Sequence, residues 1–173
     1  FGDFKGQSLE FLLTQTTIYG GNKMKVIIAA AQTGGHINPG IAIANKIKEK
    51  NRNARIMFIG TTRGLENDLV PRAGYELKTI DAYGINRKIS ISNIKNMFKT
   101  LKGFGEAKKI VKDFNPDIVI GTGGFICGPT IMAAKKYKIP TLLHESNAFP
   151  GVATKMLAKK AVSYTHLTLP TNR

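Results

Sequence analysis

Short apolar runs alternate along the chain with stretches whose apolar positions recur at helical spacing. Residues 25–31 are rich in Val, Ile and Ala with no polar alternation, the pattern of a strand covered on both faces. After Pro39, Ile43, Ala44 and Ile47 mark one side of a helix, and Lys46, Lys48, Glu49 and Lys50 supply its polar remainder. Residues 55–59 predict a second strand, and residues 65–70 a short helix stopped near Pro71. Residues 75–80 predict a third strand. The breaker pair Asn115–Pro116 introduces a fourth at residues 117–120. A helix over 129–137, a fifth strand over 141–144 and a helix over 151–160 follow. Strands alternating with helices imply an α/β domain, a doubly wound parallel sheet with helices on both faces and strand order 3-2-1-4-5.

The two ends do not share this pattern. Residues 1–23 precede an internal methionine, Met24, and Gly20–Gly21 lies just upstream of it. Codons for a Gly pair can be as purine-rich as a ribosome-binding site, so residues 1–23 are expected to be leader read as protein. Residues 162–173 (VSYTHLTLPTNR) resemble translated adapter sequence and are expected to be non-native. The domain is therefore expected to occupy residues 24–161.

Composition narrows the class. Hydrophobic residues make up 42% of 173 and charged residues 21%, a balance that folds rather than stays disordered. No apolar run approaches the ~20 residues of a membrane span, and no basic cluster followed by an apolar core opens the chain. Cys127 is the sole cysteine, which excludes an internal disulfide. The net charge of +15 is spread along the chain. It favours polyanionic partners: nucleic acid, nucleotide diphosphates or an anionic membrane face. Charge alone does not choose among them, and simple solubility explains it equally well.

Two glycine-rich loops carry the candidate chemistry. Gln32-Thr33-Gly34-Gly35-His36-Ile37-Asn38-Pro39 follows the first strand and opens a helix. Gly121-Thr122-Gly123-Gly124-Phe125-Ile126-Cys127-Gly128-Pro129 follows the fourth strand and does the same. Glycines let backbone approach a ligand closely, and a helix N-terminus presents N–H groups and a positive dipole end to an anion. In the order 3-2-1-4-5 the first and fourth strands are neighbours, so both loops face one crevice at the topological switch point. Taken singly, each Gly pair reads equally well as a tight strand-to-helix turn. Neither loop has the Gly-Lys-Ser/Thr ending of a nucleotide P-loop or a G-x-G-x-x-G, and Gly60-Thr61-Thr62-Arg63 offers no acid for a ribose, which disfavours NAD.

These motifs, in this order, resemble a known family. TGGH followed by Asn-Pro, the run Gly60-Thr61-Thr62-Arg63-Gly64-Leu65-Glu66, GTGGF-x-x-GP and His144-Glu145-Ser146-Asn147 are similar to the N-terminal domain of the MurG family of peptidoglycan glycosyltransferases. The likeness covers about residues 24–161. It implies the Rossmann-like N-terminal half of a GT-B glycosyltransferase, with a C-terminal, donor-binding domain absent from this chain. It further implies transfer of N-acetylglucosamine, with inversion, from UDP-N-acetylglucosamine to undecaprenyl-diphosphate-linked N-acetylmuramoyl-pentapeptide (lipid I), at the cytoplasmic face of the bacterial membrane, with no cofactor.

By that resemblance Thr33, Gly34 and Gly35 contact the donor near its phosphates, Gly123 and Gly124 do similar work for the acceptor's diphosphate, and Asn147 contacts the sugar nucleotide. His36 is a candidate base for the acceptor hydroxyl or a positioner of the acceptor, against a purely structural role capping its loop. Glu145 is an alternative base or an acceptor contact, against a loop-bracing carboxylate. His144 reads as satisfied within the sheet. Cys127 has no base beside it in sequence and reads as a small buried thiol. The histidines and Cys127 lack metal-ligand spacing and no Asp-x-Asp occurs, so no metal site is expected.

Ile91, Ile94, Phe98 and Leu101 fall at helical spacing among Lys88, Lys95, Lys99 and Lys102. Periodicity alone reads as a core-facing helix with a solvated lysine face. The resemblance favours peripheral contact with an anionic inner membrane. The rival readings are another GT-B enzyme with a lipid or natural-product acceptor and a basic nucleic-acid module. Lacking an aromatic stacking platform or a nucleic-acid motif, the sequence leads us to expect no nucleic acid as a partner.

Overall fold

The computed structural model describes residues 24–82, 91–145 and 163–166, with side chains at 24–82 and 102–145. Along the chain come β1 (Lys25–Ala30), α1 (Gly34–Lys50), β2 (Arg55–Gly60), α2 (Glu66–Arg72), β3 (Glu76–Thr79), α3 (Ile91–Phe114), β4 (Ile118–Gly123), α4 (Cys127–Lys136), β5 (Thr141–Glu145) and β6 (Ser163–His166). They form one parallel sheet in the order β3-β2-β1-β4-β5-β6. The expected doubly wound order is present. The sixth strand falls within the stretch set aside on sequence and pairs Leu142 with Ser163 and Glu145 with His166. The helix expected at 151–160 lies outside the described residues.

Strand periodicity sorts the apolar side chains into two cores. On one face Ile27, Ala29, Met57, Ile59 and Val119 pack with Ala107 and Val111 of α3 and Ile131 of α4. On the other, Val26, Ile28, Ile56, Phe58, Ile118 and Ile120 pack with Ile37, Ala44 and Ile47 of α1 and Val70 of α2. Val26 to Ala30 have no exposed surface. That explains why β1 shows no polar alternation: both of its faces are covered.

Two helices ignore the expected effect of proline. α1 begins at Gly34, not after Pro39, because the Thr33 carbonyl accepts the N–H groups of both His36 (3.0 Å) and Ile37 (3.1 Å) and starts the helix upstream. α2 runs through Pro71 to Arg72. Its stop is set by Gly74, whose φ of 81° turns the chain so that the Tyr75 N–H donates back to the Val70 carbonyl at 3.2 Å. The fourth strand is also longer than read, because it continues through the glycines to Gly123.

Candidate active site at the carboxyl edge of the sheet

The parallel strands all end on one edge, and the β1 and β4 exits meet there. Ala30 pairs with Gly123 across a register shift. The β1 exit turns sharply: the Thr33 N–H donates to the Ala31 carbonyl at 3.1 Å across Gln32, whose φ is 78°. A two-residue closure with positive φ on a residue other than glycine is the rare, strained form of the γ-turn. From there the chain enters α1, which carries Gly34, Gly35 and His36 in its first turn.

The β4 exit is fitted around that first turn. Gly123 and Gly124 have φ of 134° and 82°. The His36 imidazole lies directly against Gly123, where an added Cβ would stand 2.7 Å from Cγ and 2.8 Å from Nε2. A Cβ on Gly124 would stand 3.0 Å from the Ala31 carbonyl oxygen. The buried Thr122 hydroxyl donates to the His36 carbonyl at 2.8 Å. The two loops therefore form a single structure, as the switch-point argument requires.

That structure fixes the histidine tautomer. His36 Nδ1 lies 3.2 Å from the Ala31 carbonyl and 3.3 Å from Thr33 Oγ1. A carbonyl only accepts, so this contact requires Nδ1 as the donor, the tautomer in which Nε2 carries the lone pair.

The remaining sequence candidates divide. Glu145 is buried at the end of β5, two residues beyond the Gly121–Leu143 pair, and its charge is felt by the Cys127 thiol of the second loop. His144 beside it is half-buried; burial lowers its pKa, and the neighbouring Glu145 charge opposes that shift. Asn147 lies outside the described residues. Cys127 is a buried thiol, pushed up to about 12 chiefly by desolvation. Its Sγ accepts the Gly123 N–H at 3.3 Å and lies 3.4 Å from the Ala29 carbonyl, so it braces the second loop. Among the described residues no group of three His, Cys, Asp or Glu side chains could hold a metal, and no helix is long and apolar enough to cross a membrane.

Residues 26–165 match the family model described as the glycosyltransferase family 28 N-terminal domain. The chain belongs to glycosyltransferase family 28. Among curated relatives, proteins named UDP-N-acetylglucosamine--N-acetylmuramyl-(pentapeptide) pyrophosphoryl-undecaprenol N-acetylglucosamine transferase are 52% identical in Thermoanaerobacter sp. (strain X514) and 53% identical in Acetivibrio thermocellus. Each match spans 136 residues, 79% of this chain and 37% of the relative. The chain thus spans a little over one third of the length of these relatives. The crystal structure of Acinetobacter baumannii MurG matches with a TM-score of 0.71 and 28% identity, over 87% of this chain and 44% of that one. The Streptomyces nogalater glycosyltransferase SnogD shares the fold at 14% identity, with a TM-score of 0.55 over 84% of this chain and 43% of SnogD.

Two residues of this family 28 domain escaped the sequence reading. Thr122 stood only as one position of the second glycine loop, yet its hydroxyl stitches the loops together. Glu66 read as part of a strand-exit motif, yet it is completely buried and accepts three hydrogen bonds. A carboxylate five residues past a strand-end threonine was the available signal.

Proposed function

We propose that the chain is the N-terminal, acceptor-side half of an inverting glycosyltransferase that moves N-acetylglucosamine from UDP-N-acetylglucosamine to lipid I. The observation that carries the reading is the clasp on His36. The second loop holds the imidazole against Gly123, and the Ala31 carbonyl accepts a hydrogen bond from Nδ1–H, leaving Nε2 as the basic nitrogen beside two glycine turns. Relatives about half identical over this domain bear the name of that transferase.

In the proposed reaction the muramyl hydroxyl attacks the anomeric carbon of the donor. Its proton passes to His36 Nε2, the bond from the anomeric carbon to the diphosphate oxygen breaks, and UDP leaves. The N-terminal end of α1 faces the developing diphosphate charge, while Gly123–Gly124 borders the acceptor. Glu145, buried at the end of the neighbouring β5, serves as an acceptor contact. Most donor contacts come from the remaining length of the protein, a second Rossmann-like domain across a cleft. The lysine-bearing first half of α3 would rest on the anionic inner face of the membrane where the acceptor is anchored.

The test uses the complete reading frame containing this chain. His36→Ala should lower kcat by roughly 10²–10⁴-fold, the span of general-base catalysis. His36→Gln, which keeps a polar group but no base, should recover little. A kcat/KM within threefold of the parent in both variants would remove His36 from the chemistry.

A further inference from the structure

Glu66 opens α2, on the far side of β1 from the clasp, yet its carboxylate reaches back to both neighbouring strand exits. Oε1 accepts the Thr61 N–H at 2.8 Å and the Thr61 hydroxyl at 2.8 Å. Oε2 accepts the Gln32 N–H at 2.9 Å. The side chain is fully buried. The room for it is made by bare backbone: a Cβ on Gly64 would overlap the carboxylate, and one on Gly60 would stand 3.2 Å from Oε1. Burying a carboxylate is expensive, and an apolar residue would fill the space at lower cost.

We propose that Glu66 is a positioning residue for glycosyl transfer, a buried tether that holds the strained Gln32 turn and through it sets the orientation of His36. The inference rests on the functional reading above. The mechanical chain is short. Gln32 is held at φ 78° by its N–H bond to Glu66. That φ sets the direction of the Ala31 carbonyl, the acceptor of both the Thr33 N–H at 3.1 Å and His36 Nδ1 at 3.2 Å. A residue other than glycine stays in this region only when its surroundings enforce it. With the tether gone, the turn relaxes, the carbonyl swings, and the imidazole and the first turn of α1 lose their common reference.

Glu66→Gln isolates the tether. The amide oxygen keeps the Thr61 pair, but the amide NH₂ meets the Gln32 N–H donor to donor. In the complete enzyme kcat should fall on the order of 10–100-fold, the sensitivity of a reaction to misplaced groups. The thermal midpoint should stay within about 5 °C, a loss near 1 kcal/mol. Adding Gln32→Gly should restore most of kcat, because glycine occupies positive φ without enforcement. Should Glu66→Gln fail to fold, Glu66→Asp carries the same comparison with a carboxylate too short to span both exits.

Hydrogen exchange over residues 31–37 reads the tether without any activity and should quicken at least roughly tenfold in Glu66→Gln. Parental kcat in the tether variants, no rescue by Gln32→Gly, or unchanged exchange would each overturn the proposal. A parent enzyme that transfers no sugar overturns the functional reading alone, and exchange then still decides whether Glu66 holds the turn.

Discussion

The two glycine loops look alike in sequence, each a strand, a Gly pair and a helix, but their glycines answer to different demands. At the β4 exit the demand is internal. Gly123 and Gly124 adopt φ of 134° and 82°, and side chains there would collide with the His36 ring and crowd the Ala31 carbonyl. At the β1 exit the positive φ falls on Gln32, while Gly34 and Gly35 sit in the first turn of a helix. A Cβ on Gly34 would meet nothing nearer than 3.5 Å, and one on Gly35 nothing nearer than 3.8 Å, ordinary van der Waals contact. Nothing in the described fold forbids alanine at either position. The second pair is explained by packing against the first loop; for the first pair packing supplies no such reason, and the proposed donor contact is what would supply one.

Substitutions should break this comparison in order of their effect on the fold. Gly123→Ala should be the most damaging, because it adds a Cβ into the imidazole and forces an unfavourable φ. A destabilisation of roughly 2–5 kcal/mol is expected from strain and overpacking together, measured by denaturant unfolding, with transfer activity lost. A change below about 1 kcal/mol would mean the ring moves aside freely and the loops are not clasped. Thr122→Val comes next. It removes the buried hydroxyl that donates to the His36 carbonyl at 2.8 Å, which should cost about 1 kcal/mol. It should also lower kcat by more than the stability change explains, since it loosens the helix turn that carries His36.

How much of this was legible in the sequence follows the same division. The sheet order and both loops were readable because β1 and β4 are covered on two faces and their glycine turns punctuate the chain. The meeting of the loops followed from topology alone. Prolines misled the helix boundaries: α1 starts ahead of Pro39 because the Thr33 carbonyl accepts from His36 and Ile37, and α2 passes Pro71 because the Gly74 turn returns the Tyr75 N–H to the Val70 carbonyl. Glu66 and Thr122 were not legible as site residues. Thr61 is local to Glu66, but the partners that tie the two residues to the site lie on other strand exits, Gln32 34 positions away from Glu66 and His36 86 positions away from Thr122. Long-range hydrogen bonds leave no local periodicity to read. The strained φ of Gln32 was hidden for the same reason, since its enforcement comes from another strand exit.

Gly35→Ala should have the smallest effect on the fold and therefore tests the comparison most sharply. The residue is exposed, its φ is not positive, and it lies in a helix. Alanine is the better helix former by up to about 1 kcal/mol in a helix interior and by less in a first turn. Unfolding should therefore show a stability equal to the parent or slightly higher, the opposite sign to Gly123→Ala. Activity should move the other way. If a donor pyrophosphate lies against the amides of this turn, a methyl group there holds it off the N–H groups, and a misplacement near 1 Å costs on the order of 10²-fold in transfer. The apparent KM for UDP-N-acetylglucosamine should rise with it, whereas Thr122→Val should act mainly on kcat. A variant with parental stability and parental transfer would show that the first Gly pair answers to no ligand, and the contrast between the two loops would then be one of packing alone.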